Sequence, residues 1–253
     1  MKIRICFSKT EEGRYLSHLD LARTMERSLR RMRAPLAFSE GFNPHPKIAF
    51  ASALAVGTTG RREYLDVELA ARVNVGYFGR ALEESLPAAL AFVAAEEIGE
   101  AGKSLSALVN LAVYRIKVSL RPEDREKVAA GVAGVLAARE LWRKPKEKAG
   151  KKPVPAKEIR GLIRRIEIIG ADDADPAPGG GDHPDLPQSG RETLTIEMEL
   201  KMKADGQLRP HELWGMIGAA GGFEPEPPQS VCRTALLIDR DGVVFSPMEG
   251  VAV

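Results

Sequence analysis

Across residues 2–98 the apolar pattern changes period in a set order, and that order leaves few folds open. Ile3, Ile5 and Phe7 alternate with Arg4 and Cys6, the period of a strand. Residues 17–33 then repeat at helical spacing, with Leu21, Met25, Leu29 and Met32 on one stripe. Ser17 followed three residues later by Asp20 is a capping pattern, and Pro35 stops the helix. Short strands are expected at 36–39, 48–54 and 63–69, the last with Leu65, Val67 and Leu69 inward and Tyr64, Asp66 and Glu68 outward. A helix over 75–86 ends at Pro87, and a strand covers 92–98. Up to one extra hairpin strand, this is the split βαβ, or ferredoxin-like, arrangement.

The order then recurs. A strand at 112–120 leads into a helix opened by Pro122 and running to about residue 142. Residues 159–169 begin with helical spacing (Ile159, Leu162, Ile163, Ile166) and end extended (Ile166, Ile168, Ile169), a turn of helix entering a strand. Residues 193–203 alternate cleanly, Asp205-Gly206 is a turn, a helix over 210–219 closes at Gly221-Gly222, and 231–239 is a last strand. The expected fold is α+β, two tandem ferredoxin-like halves with antiparallel sheets, divided as 1–105 and 106–253. Within the second half lie a basic linker at 143–156 and an acidic Pro/Gly insertion at 171–190, both expected to be disordered. Gly179-Gly180-Gly181 in that insertion is no phosphate loop, because the surrounding aspartates repel phosphate.

Composition narrows the function. Hydrophobic residues are 44% of 253, enough for a normal core, and no apolar run approaches the ~18–20 residues of a membrane span. The first residues lack the apolar core of a signal peptide, so a cytoplasmic protein is expected. Two cysteines, Cys6 and Cys232, rule out a disulfide framework, a four-cysteine zinc site and an iron–sulfur cluster ligated by this chain alone. No cofactor is expected in this chain. The net charge of +2 conceals segregation: residues 1–62 carry +7, residues 142–165 carry +8, and the rest carries −13. Such sorting points to a polyanion.

The helix at 17–33 concentrates that charge. Arg23, Arg27 and Arg30 fall within about 60° of one another, opposite the apolar stripe, with Arg31 and Arg33 alongside. Guanidinium forks in a row suit backbone phosphates; the alternative is a solvated face with Asp20–Arg23 and Glu26–Arg30 pairs. The following loop, Ser39-Glu40-Gly41-Phe42-Asn43-Pro44-His45-Pro46-Lys47, combines rigidity with an aromatic, an amide and cations, the mixture that takes single-stranded RNA. The candidate nucleic-acid contacts are therefore Arg23, Arg27, Arg30, Arg31, Phe42, Asn43, His45 and Lys47. His18, in the first turn of the helix, is either a packed cap residue or a reactive group. His18 and His45 as base and acid, with Asp20 nearby, form the candidate set for a metal-independent endoribonuclease, with Lys47 or an arginine stabilising the phosphate. Spacing supports no metal site.

The phrases RYLSHLDLARTMERSLRR, PLAFSEGFNPHPKIAFASALAVG and EYLDVEL, with the later DGQLRPHELW and SVCRTALLI, resemble the radical SAM-associated (radical SAM-linked) domain-of-unknown-function family of bacteria. The agreement is densest over 14–69, where Ser17, His18, Asp20, Arg23, Ser39, Gly41, Phe42, Asn43, Pro44, His45, Pro46 and Lys47 match; the acidic insertion departs from it. That family occurs alone or fused to a cobalamin-binding radical SAM protein, which implies a radical SAM partner. Such an enzyme needs three closely spaced cysteines, and this chain has two in all, so it is not itself the radical enzyme. The expected role is an RNA-binding, substrate-presenting partner of a separate radical SAM enzyme. The alternatives are the endoribonuclease and a protein-binding scaffold without RNA.

Overall fold

The structure is a computed structural model that describes residues 1–99, 103–143, 156–170, 190–203 and 206–248. All but the end residues of the expected basic linker, nearly all of the acidic insertion, and Asp205 of the expected turn lie outside the described residues. The chain is mixed α and β with mostly antiparallel strands. Its elements are β1 (Lys2–Lys9), α1 (His18–Arg31), β2 (Ile48–Phe50), β3 (Thr59–Glu68), α2 (Val75–Ser85), β4 (Leu90–Ile98), the single turn α3 (Leu105–Leu108), β5 (Leu111–Leu120), α4 (Arg125–Ala137), β6 (Trp142–Arg143), β7 (Lys157–Glu158), β8 (Ile163–Ile169), β9 (Glu192–Lys201), α5 (Pro210–Gly221), β10 (Ser230–Arg240) and β11 (Val243–Phe245). Two compact units divide them: described residues 1–112 and 232–248 form the first, and 113–170 and 190–231 the second.

In the first unit β1 lies between β3 and β4, antiparallel to both, with Ile5 opposite Leu65 and Ala95. β2 adds to β3 through Ala49 opposite Asp66. Ile3, Ile5, Phe7, Leu65 and Val67 form one apolar face, and α1 and α2 close it with Leu21, Met25, Leu29, Phe78 and Leu82. Each such side chain removed from water stabilises the unit by ~1.5–3 kcal/mol. One pairing departs from the all-antiparallel expectation: β10 runs parallel to β3, with Cys232 opposite Thr59 and Arg233 opposite Gly60.

The second face of this sheet corrects another expectation. Tyr64 and Asp66 alternate away from the helices as expected, yet both are buried. Residues 246–248 explain it. Arg4 holds Asp66 through two hydrogen bonds of 2.7 and 3.0 Å and donates a third to the Pro247 carbonyl, while the Tyr64 and Ser246 hydroxyls lie 3.4 Å apart. At Tyr64 and Asp66 the sheet is covered on both sides, so its alternation there separates an apolar face from a paired polar one.

Other expected bounds shift as well. α1 stops at Arg31, and Arg33 then turns to a left-handed φ of 57°. Residues 36–39 make only single bridges, Leu36 to Leu69 and Phe38 to Pro46. β2 ends at Phe50, and the Ser52 and Ala53 carbonyls accept from the Arg233 guanidinium.

In the second unit β9 lies between β5 and β8, with Ile166 opposite Met198. Ile116, Val118, Ile196, Met198, Val128, Leu213 and Ile217 make its core. α4 and α5 touch backbone to backbone: a Cβ on Gly131 would stand 2.2 Å from the Ile217 carbonyl oxygen, so only glycine fits. The helix expected to reach residue 142 ends at Ala137. Arg160 donates to the Leu136 carbonyl at that end, and Trp142 pairs in strand form with Glu158. Among the described residues no helix is long and apolar enough to cross a membrane.

Candidate functional site

α1 buries one stripe and leaves its outer surface exposed. Ser17 caps it, accepting from the Asp20 amide at 3.2 Å and donating to the Asp20 carboxylate at 2.7 Å. Leu21, Met25, Ser28 and Leu29 are buried against the sheet, which turns Arg23, Arg27 and Arg30 to solvent. Two acids share that surface. Asp20 stands 3.7 Å from Arg23, and Glu26 2.8 Å from Arg30. Exposed pairs of this kind contribute ~0–1 kcal/mol each, so phosphate oxygens can replace them cheaply. Arg27, exposed between those pairs, makes no ion pair among the described residues. Arg31 is engaged elsewhere, donating to the Ser85 carbonyl at 2.8 Å and tying α1 to the end of α2.

The loop after α1 stands beside this row. The Arg30 guanidinium lies over the Phe38 ring at 5.4 Å, and Phe38 bridges to Pro46. Between them the Ser39 amide donates to the His45 carbonyl at 2.9 Å, and the His45 amide donates to the Ser39 hydroxyl at 3.0 Å. Gly41 has φ 115°, a conformation open to glycine and strained for other residues. This closed loop carries Phe42, Asn43 and His45 exposed, and Lys47, also exposed, stands 3.2 Å from Glu68. At the other end of the row Tyr15 and Leu19 are large, apolar and exposed.

The remaining candidates divide. Asp20 caps the helix and pairs Arg23. The His18 ring packs edge-on against Phe50 at 5.3 Å, with its Nδ1 buried and without a hydrogen bond. His45 sits in the exposed loop, and no hydrogen bond or ring contact joins the two imidazoles. Among the described residues no three His, Cys, Asp or Glu side chains come together to hold a metal.

A buried polar cluster beneath the site escaped the sequence reading. Lys9, Glu63 and Arg233 are almost wholly enclosed. Arg233 grips Glu63 with two guanidinium nitrogens, while Lys9 donates to the carbonyls of Arg14 (2.9 Å) and Leu16 (3.0 Å). Burial holds the Lys9 amine below its ordinary pKa; Glu63 opposes that shift and Arg233 adds to it. The cluster thus anchors the segment that carries Tyr15 and delivers Ser17 to the helix cap. A signal for it existed, since Lys9 continues the inward phase of Ile3, Ile5 and Phe7 and Arg233 interrupts an apolar strand. Cys6 is also enclosed; burial pushes its thiol up to about 12, leaving it protonated and unreactive at neutral pH.

The model of a family described as an uncharacterized protein conserved in bacteria (DUF2344) matches residues 2–210. The chain belongs to that family. The matched stretch holds α1, the loop at 39–45, Lys9 and Glu63, whereas Arg233 lies beyond it. No curated protein matches the chain.

Proposed function

We propose that this chain binds RNA through α1 and the loop after it, and presents that RNA to a separate, cobalamin-binding radical SAM enzyme. One observation carries the RNA reading: Arg23, Arg27 and Arg30 stand exposed in a row on a helix whose other stripe is buried, with exposed Tyr15 and Leu19 at one end and Phe38 and Phe42 at the other. Guanidiniums supply phosphate contacts and the aromatics supply stacking. The radical SAM partner rests on the family resemblance and on the chain having too few cysteines for the radical cluster. In this reading the architecture is a tandem of split βαβ halves. Its support is the chain order β1-α1-β2-β3-α2-β4 with β1 between β3 and β4, followed by β5-α4-β8-β9-α5-β10.

Filter binding of RNA over a salt series tests the reading. The wild type is expected to bind with affinity that falls as salt rises, and Arg23→Glu with Arg27→Glu and Arg30→Glu to lose retention. Three lost phosphate contacts flatten the log–log slope by about 2. Wild-type protein without salt-sensitive binding overturns the proposal. RNA recovered cut, with cutting abolished by His18→Ala and His45→Ala, replaces it with a ribonuclease.

A further inference from the structure

We propose that the loop at 39–45 is a base-stacking finger, so that the RNA taken by this surface is single-stranded and Phe42 is the platform for one unpaired base. The inference rests on the RNA reading above and narrows its substrate class. Phe42 has a relative exposure of 106%, the highest among the exposed large hydrophobic side chains. A phenylalanine without neighbours forgoes the burial gain that ordinarily draws it inward, and it offers both ring faces to a ligand.

The loop constrains the backbone that carries that ring. Two hydrogen bonds clamp Ser39 to His45 in both directions, the Phe38–Pro46 bridge closes the base, and Gly41 takes the left-handed turn at the tip. Pro44 and Pro46 fix two further φ angles. A ring presented on so constrained a backbone loses little further backbone freedom when it binds.

The surroundings select the ligand. Arg30 stacks on Phe38 at the foot of the loop, so the finger begins where the arginine row ends, and a base on Phe42 has its phosphates beside cations. Along α1 the arginines step by four and three residues, ~6 and ~4.5 Å of rise, a short track for a strand's backbone. Asn43, exposed next to Phe42, offers an amide for a base edge. Bases inside an RNA duplex are stacked on both faces, and the deep, narrow major groove keeps side chains out; loops, bulges and ends supply free bases. The finger therefore discriminates against duplex.

Fluorescence anisotropy with two labelled probes tests this, a single-stranded oligoribonucleotide and a blunt RNA duplex of the same length. Wild-type protein is expected to prefer the single strand. Phe42→Ala is expected to weaken single-strand binding about 5- to 150-fold, the loss for one stacked base, with the salt slope unchanged because no phosphate contact is removed. Phe42→Trp is expected to retain the affinity. Phe42 lies outside both hydrophobic clusters, so unchanged circular dichroism is expected in both variants. A duplex preference in the wild type, or equal single-strand affinity for wild type and Phe42→Ala, overturns the finger and leaves the arginine row standing. Absence of salt-sensitive binding to either probe overturns both.

Discussion

Removing the Glu63 carboxylate is the sharpest test of the buried cluster under the site. Glu63 is the anion between two enclosed cations: the guanidinium of Arg233 binds it through two nitrogens, and its field raises the Lys9 pKa against burial. In Glu63→Ala, Arg233 keeps the Ser52 and Ala53 carbonyls and Lys9 keeps those of Arg14 and Leu16, but the two positive charges lose their counter-ion. Breaking one partner of a buried pair costs about 3–5 kcal/mol, against ~5–15 kcal/mol of total stability for a typical domain. Urea unfolding followed by far-ultraviolet circular dichroism reads the loss. With m near ~3 kcal/mol/M, the midpoint of the transition containing the first unit is expected to fall by about 1–2 M. A cycle with Arg233→Ala and the double variant separates the pair from the general loss of packing. The double variant is expected to cost less than the sum of the singles by more than ~0.5 kcal/mol, the limit for independent sites. A single-variant cost below ~1 kcal/mol, or costs that simply add, refutes the reasoning.

Two further outcomes follow from named contacts. Because burial holds the Lys9 pKa below its unfolded value, the unfolded chain binds more protons in the window between the two; stability from this group therefore rises as pH increases through the depressed folded pKa towards ~10.4. Cys6 acts oppositely from about pH 9 to 12, where the unfolded thiol ionises first, so the Lys9 contribution is isolated as the difference between wild type and Lys9→Met; the same pH slope in both proteins refutes it. Gly131→Ala gains ~1 kcal/mol in helix propensity yet places a Cβ 2.2 Å from the Ile217 carbonyl oxygen, so a lower melting temperature is expected, and a higher one shows that α4 and α5 separate without cost.

Much of the local structure was legible in the chain. The Ser17–Asp20 cap, the bounds of α2, the turn of 3₁₀ helix (Arg160–Leu162) entering β8 and the left-handed Gly222 after α5 lie where the residues predict them. Each depends on interactions within a few residues, so a short window carries the information. The exposed arginine row was equally legible, because a helix with one apolar stripe has only one way to face a core. Bounds set by distant groups were not. α4 stops early where Arg160 meets the Leu136 carbonyl, and β2 gives way to a segment whose carbonyls serve Arg233.

Periodicity distinguishes the two faces of a strand without saying whether the second is covered. That Tyr64 and Asp66 are buried depends on residues 246–248, some 180 positions away, and no local pattern encodes such a meeting. Lys9, Glu63 and Arg233 likewise meet only because β1, β3 and β10 share one sheet. Residue order alone thus specifies the longer helices and strands and which helix face carries the arginines. Chain closure over long separations gives the anion between two buried cations and the cover over Tyr64 and Asp66, because burial and pairing energies belong to the folded arrangement and not to any stretch of chain.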